Sequence, residues 1–174
     1  MARNIEIKAR LTDRARVEAA AAALADGPGT LIRQDDTFFG CAKGRLKLRE
    51  FADGRGELIF YQRPDAFGPK ASRYDIAATD EPDGLRRVLE QALGAAGRVR
   101  KERTLYLIGR TRVHLDRVEG LGDFLELEVV LAEGEAEASG LAEARRLMAA
   151  LGIDEAALLA GAYVDLLTAS PPNT

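Results

Sequence analysis

Gly44-Arg45-Leu46-Lys47-Leu48-Arg49-Glu50-Phe51 alternates basic and apolar side chains along its length. Successive side chains of a strand point to opposite faces. Arg45, Lys47 and Arg49 therefore share one face, and Leu46 and Leu48 the other. The three like charges stand about 6.7 Å apart along that face. At an effective dielectric near 20, each neighbouring pair repels by about 2.5 kcal/mol before screening. A multivalent anion held between them would turn that repulsion into affinity.

The flanking sequence extends the pattern. Ala52-Asp53-Gly54-Arg55-Gly56 is a hairpin turn signal, and a strand returns from Glu57 to Arg63, stopped by Pro64. Earlier strands are expected over Asn4–Leu11 and Thr30–Phe39. Later ones are expected over Ala71–Ala78, Val99–Ile108, Thr111–Val118 and Phe124–Leu131. Thr12 would cap a helix running to Leu24, ended by Asp26-Gly27. Pro82 suits the first turn of a second helix, in which Leu85, Val88, Leu89, Ala92 and Leu93 fall at helical spacing and Gly94 ends the run. Ser139 would cap a third helix ending at Gly152. Short helical turns fill Asp154–Leu167. Short turns between neighbouring strands make them pair antiparallel. The expected organisation is one domain over 1–168 and a disordered tail over 169–174.

The other strands also carry grouped charge. Asn4, Glu6, Lys8 and Arg10 share a face of the first strand, opposite Ile5, Ile7, Ala9 and Leu11. Glu57, Ile59, Tyr61 and Arg63 align in the fourth strand. Lys101 aligns with Arg103, and Arg112 with His114 and Asp116. Glu126 and Glu128 lie opposite Leu125, Leu127 and Val129. An amphipathic sheet with a solvated polar face explains any one strand. Taken together, Glu6, Asp116, Glu126 and Glu128 could converge on a hard divalent cation, which prefers oxygen ligands. A basic cradle beside a carboxylate-held metal is the equipment for triphosphate chemistry. A closed barrel of about eight strands has room for a small ligand.

Bulk properties narrow the classes. The chain has 174 residues, enough for one domain with a proper core. Its net charge of −3 argues against a general nucleic-acid binder, whose surface is usually basic. No apolar run reaches the roughly 18 residues of a membrane span. The N-terminus runs straight into a strand pattern without a leader's apolar core. Cys41 is the single cysteine, expected as a reduced, buried or half-buried thiol, so no intrachain disulfide forms. A cytoplasmic location follows.

Four segments together resemble the CYTH proteins, or triphosphate tunnel metalloenzymes, a family that includes class IV adenylyl cyclases, thiamine triphosphatases and inorganic triphosphatases. They are Asn4-Ile5-Glu6-Ile7-Lys8, Gly44 to Glu50, Lys101-Glu102-Arg103, and His114 to Glu128, which contains Leu121-Gly122-Asp123-Phe124 and Glu126-Leu127-Glu128. The resemblance runs from Asn4 to Leu167. It implies an α+β fold: an eight-stranded antiparallel β-barrel, the triphosphate tunnel, with helices packed outside. It implies substrate binding by Lys8, Arg45, Lys47, Arg49, Arg63, Arg73, Lys101, Arg103 and Arg112, with Lys8, Arg49 and Lys101 closest to catalysis. Glu6, Asp116, Glu126 and Glu128 would hold Mg²⁺ or Mn²⁺. The substrate would be tripolyphosphate, ATP or thiamine triphosphate, with no nucleic acid and no membrane as partner, and the protein a monomer or homodimer. Hydrolysis of a triphosphate leads. Cyclisation of ATP in the same tunnel is the alternative, and polyphosphate or nucleotide binding without catalysis a third. The departure is Asn4, where the family usually has its first Glu; it removes one carboxylate from the metal cluster.

Other residues carry less. His114 shares a face with Asp116 but has no His-metal motif around it, and reads first as a structural or surface hydrogen-bonding residue. Tyr61, Tyr74, Phe38 and Phe39 read as packing. No glycine pattern forms a phosphate loop. Cys41 has no partner motif for a nucleophile. Leu141, Leu147, Met148 and Leu151 form an apolar helix face expected in the core.

Overall fold

The computed structural model describes residues 2–169. Its eight strands close on themselves in the order β1-β5-β4-β3-β2-β6-β7-β8, and all neighbours are antiparallel. The strands are β1 (Ala2–Arg10), β2 (Thr30–Phe39), β3 (Arg45–Phe51), β4 (Gly56–Gln62), β5 (Lys70–Thr79), β6 (Ala95–Ile108), β7 (Thr111–Val118) and β8 (Gly122–Val130). The helices are α1 (Arg14–Leu24), α2 (Pro82–Leu93), α3 (Glu137–Ala150) and α4 (Tyr163–Ala169), with a single 3₁₀ turn at Glu155–Ala157. Of the tail expected over 169–174, Ala169 instead closes α4, and 170–174 lie outside the described residues.

The strand boundaries follow the sequence expectation within a few residues. The caps differ. Asp13, not Thr12, caps α1 by accepting from the Arg16 amide at 3.1 Å, because carboxylate and hydroxyl compete for the same free N–H groups. Helix α3 begins at Glu137, ahead of Ser139. Strand β6 starts at Ala95 rather than Val99, across an irregularity in the β2–β6 register at Phe38/Phe39. Cys41 is exposed in the β2–β3 turn, contrary to the expected burial. The turn holds it away from both barrel faces, and its thiol donates to the Lys43 carbonyl at 3.1 Å.

The apolar faces of β1, β7 and β8 point outward and form the main core. Ile7, Val113, Leu115, Leu125 and Leu127 are buried against Val17 and Ala21 of α1 and Leu147 and Met148 of α3. Closing the sheet removes exposed strand edges, and these outer helices cover its apolar side. Helix α2 is looser: Val88 and Leu93 are largely exposed despite their helical spacing. Gly140 lets α3 sit directly on β1. A Cβ there would stand 2.6 Å from Ile5 Cγ1 and 2.8 Å from Leu131 Cδ2. Gly140→Ala is therefore expected to destabilise the fold by about 1–3 kcal/mol through overpacking, read as a lower urea midpoint at unchanged slope.

Candidate active site

Turning the apolar faces outward turns the charged faces inward. The barrel encloses a cavity of about 330 Å³. Seven basic side chains line it: Lys8, Lys47, Arg49, Arg63, Lys101, Arg103 and Arg112. Five acidic ones face them: Glu6, Asp36, Glu57, Glu126 and Glu128. The lining is thus cationic on balance.

One wall comes from β1, β7 and β8. Cross-strand register sets His114 opposite Glu126, Glu126 opposite Lys8, and Arg112 opposite Glu128. Lys8 Nζ lies 3.1 Å from Glu126 Oε1, and Arg112 Nη2 lies 2.9 Å from Glu128 Oε2. Burial alone would raise the Glu126 carboxyl, but Lys8, Lys101 and Arg103 hold it well below the usual range. His114 is buried. Burial, and then Arg103, push its pKa down to about 4, against the nearby carboxylates of Glu128, Asp116 and Glu126. One ligand atom each from His114, Glu126 and Glu128 lies within 4.8 Å of the others. These three residues could hold a metal ion.

The opposite wall centres on Asp36, which the sequence reading missed. It is buried and accepts from Lys47 at 2.7 Å and from Arg49 through two bonds of 2.8 Å. Burial would raise this carboxyl, but Arg49 and Lys47 hold it far below the ordinary value. Burial and Arg49 lower the Lys47 ammonium to about 7. The β3 repulsion read from sequence is thus partly relieved by a buried carboxylate from β2. Gln34, Asp36 and Phe38 line the cavity in strict alternation. Extending the strand-phase argument to β2 would have found Asp36.

One end of the tunnel is plugged. Tyr163, the first residue of α4, donates to Asp116 Oδ2 at 3.0 Å and stacks edge-on against Phe124 at 4.9 Å. Its ring lies 3.8 Å from the Lys8 ammonium and 5.0 Å from that of Lys101. Lys70 is also buried at this end, donating to the carbonyls of Ala66 (2.7 Å) and Ala160 (2.9 Å).

Not every expected site residue joins the cavity. Arg45 lies beyond the lining and donates to Asp165 of α4 at 2.8 Å, because its β3 position falls at the plugged end. Arg73 is exposed, out of phase with Ser72 and Tyr74, which line the tunnel; Lys70 is the buried basic residue of β5. Asp116 is on the inner face, but Arg103 occupies both its oxygens at 2.7 and 2.6 Å, and Lys101 approaches to 3.3 Å. It lies outside the group that could hold a metal. Glu6 lines the cavity, paired with Arg63. His114 is neither on the surface nor satisfied: Nδ1 is buried without a hydrogen-bond partner among the described residues.

Other buried polar atoms share that condition. Arg63 Nε and Nη2, Arg112 Nε and Asn4 Oδ1 have no partner among the described residues. Three of these are guanidinium donors in the lining of a cationic cavity, and buried donors are ordinarily paired.

A closed antiparallel tunnel lined by inward arginines, lysines and carboxylates defines a class of protein with a charged barrel interior. The sequence pattern of the CYTH domain matches residues 2–163, and the chain belongs to that family. No curated protein matches it in sequence. Among solved structures it resembles the PH1012 protein from Pyrococcus horikoshii OT3, with 22% identity, coverage of 94% of this chain and 98% of that one, and a TM-score of 0.84. A protein from Vibrio parahaemolyticus, proposed to be an adenylate cyclase, gives 20% identity, coverage of 95% and 98%, and a TM-score of 0.78. HpAC1 from Hippeastrum, proposed as an adenylyl cyclase and described as having a dominant triphosphatase activity, gives 18% identity, coverage of 99% and 98%, and a TM-score of 0.64. At these identities the likeness concerns the fold.

Proposed function

We propose that this protein binds a triphosphate in its tunnel and hydrolyses it with a divalent cation, Mg²⁺ or Mn²⁺. The observation that carries the reading is the set of buried guanidinium donors without acceptors on Arg63 and Arg112. Each unsatisfied buried donor costs about 1–3 kcal/mol, and phosphate oxygens would satisfy all three. Arginine suits this task because its planar fork matches phosphate geometry.

Lys47, Arg63, Arg103 and Arg112 hold the phosphates. Lys8, Arg49 and Lys101 neutralise charge that develops on the transferred phosphoryl group. Glu126 and Glu128 hold the cation, and a phosphate on Arg63 would free Glu6 to join them. Asp116 serves as the counter-ion that keeps Arg103 in place. A divalent cation bound there would neutralise phosphate charge and lower the pKa of water. The Tyr163 plug keeps bulk water from one end. The substrate is a small molecule rather than nucleic acid. Several outward arginines of β2 and β6 are neutralised, Arg98 and Arg100 by Asp35 and Arg33 by Glu102. No described helix is long and apolar enough to cross a membrane. The reading takes the protein to be cytoplasmic, a monomer or homodimer.

One feature favours a second reading. Past Arg103 the lining turns apolar, with Ile32, Phe51, Ile76 and Leu105 beside Tyr74. Such a collar suits an organic group on the triphosphate, as in cyclisation of ATP by attack of its 3′-hydroxyl on the α-phosphate. Phosphorus NMR of the protein with Mg²⁺ or Mn²⁺ and either tripolyphosphate or ATP separates the readings. Orthophosphate and pyrophosphate from tripolyphosphate are expected. Cyclic AMP and pyrophosphate from ATP would replace hydrolysis by cyclisation. Tight binding without turnover would leave a binder, its metal site weakened at Asn4.

A further inference from the structure

His114 is the chain's single histidine, and it is 4% exposed. Its Nδ1 is buried and makes no hydrogen bond among the described residues. The nearest carboxylate oxygens are Glu126 Oε2 at 4.0 Å and Glu128 Oε1 at 3.9 Å. Those distances are too long for hydrogen bonds. Ligand atoms about 2.1 Å from one ion stand about 3.4 Å apart in tetrahedral geometry, so closing the three side chains by about half an ångström would bring them onto a shared ion. At those distances Nδ1 stays without a partner whether it carries a lone pair or an N–H. A cation accepted by all three groups removes that cost and balances both carboxylates.

We propose that His114 is a direct nitrogen ligand, and that it makes the tunnel's metal site selective for Mn²⁺ or another transition ion over Mg²⁺. Mg²⁺ demands oxygen donors and releases its waters reluctantly. Imidazole nitrogen suits the first-row transition ions. The register places the nitrogen: β7 sets His114 opposite Glu126, one inner position from the pair of Arg112 and Glu128. The proposal rests on the reading that Glu126 and Glu128 hold a divalent cation, but not on which reaction follows.

The test is Mn²⁺ binding to untagged protein, followed by loss of the free-ion paramagnetic resonance signal, with Mg²⁺ as competitor. Pulsed measurements on the bound Mn²⁺ report nitrogen coupling. Because the chain has one histidine, a directly bound imidazole in the wild-type protein can only be His114, and this readout does not depend on any variant folding. Nitrogen coupling is expected in the wild type and absent in His114→Ala. That variant should lose about 10-fold or more in Mn²⁺ affinity, with Mg²⁺ affinity changed less than about 2-fold. Glu128→Gln should weaken both ions. Mn²⁺ bound without nitrogen coupling, and with equal affinity in His114→Ala, overturns the ligand role while leaving the carboxylate site standing. No Mn²⁺ binding to the wild type, or binding indifferent to Glu128→Gln, overturns the ligand role and the metal reading together.

Discussion

Arg103→Met is expected to lower the unfolding free energy by about 3–5 kcal/mol, the usual result of removing one partner from a buried ion pair. Arg103 is 4% exposed and Asp116 is fully buried. The guanidinium binds Asp116 through 2.7 and 2.6 Å bonds and Glu126 through a third at 2.6 Å. Methionine keeps the volume and leaves two carboxylates short of a counter-charge. The effect depends on pH with a definite sign. In the wild-type protein Arg103 and Lys101 depress the Asp116 carboxyl despite its burial. That pairing contributes stability above the unfolded carboxylate range, and the contribution is lost as pH falls through the depressed folded value. The variant lacks it, so its deficit is largest near neutrality and narrows toward acid pH. Replacing both partners, Arg103→Met with Asp116→Leu, should recover part of the loss, because no orphaned charge then remains at that position. Urea denaturation of the two single variants and the double variant at two pH values measures all of this. A single variant as stable as the wild type at neutral pH would show that the pair does not hold the wall together.

Glu128→Gln carries the largest expected effect on turnover, a loss of about 10²-fold or more with stability changed by less than about 1 kcal/mol. Glu128 is part-exposed in the cavity and pairs with Arg112 at 2.9 Å. Glutamine keeps the shape and can still accept from Arg112, but it gives up the charge that a cation requires. Glu126→Gln should be as damaging to turnover. It would also cost stability, since Lys8 and Arg103 both lean on that carboxylate. Turnover of tripolyphosphate followed by orthophosphate release, beside thermal melting, separates the two losses. Full activity in both variants would remove the carboxylates from the chemistry.

The alternation in β1, β3, β4, β7 and β8 made the inner face legible, because period-two charge next to period-two aliphatics fixes which side is buried. Asp36 was within reach of the same logic, although Thr30–Phe39 mixes polar and apolar residues on both faces and hides the pattern. Lys70 was lost to a one-residue boundary: Gly68-Pro69 reads as loop, and β5 begins at the next residue. Arg73 rests on the resemblance rather than on strand phase, and the pleat points it outward. Alternation gives the face but not the neighbour across the ladder. Alternation alone therefore could not show that Arg103, across the β6–β7 ladder, occupies both oxygens of Asp116. Tyr163 belongs to a helix that crosses the tunnel's end, a tertiary placement with no local signal. His114 lacked a motif because the carboxylates it faces, Glu126 and Glu128, come from another strand.

The most direct measurement is a crystal structure of the protein with tripolyphosphate and no added divalent cation. Phosphate oxygens should lie inside the barrel, about 2.7–3.2 Å from Arg63 Nε and Nη2 and from Arg112 Nε. Tripolyphosphate bound only outside the barrel, with those donors still without acceptors, would contradict a triphosphate tunnel.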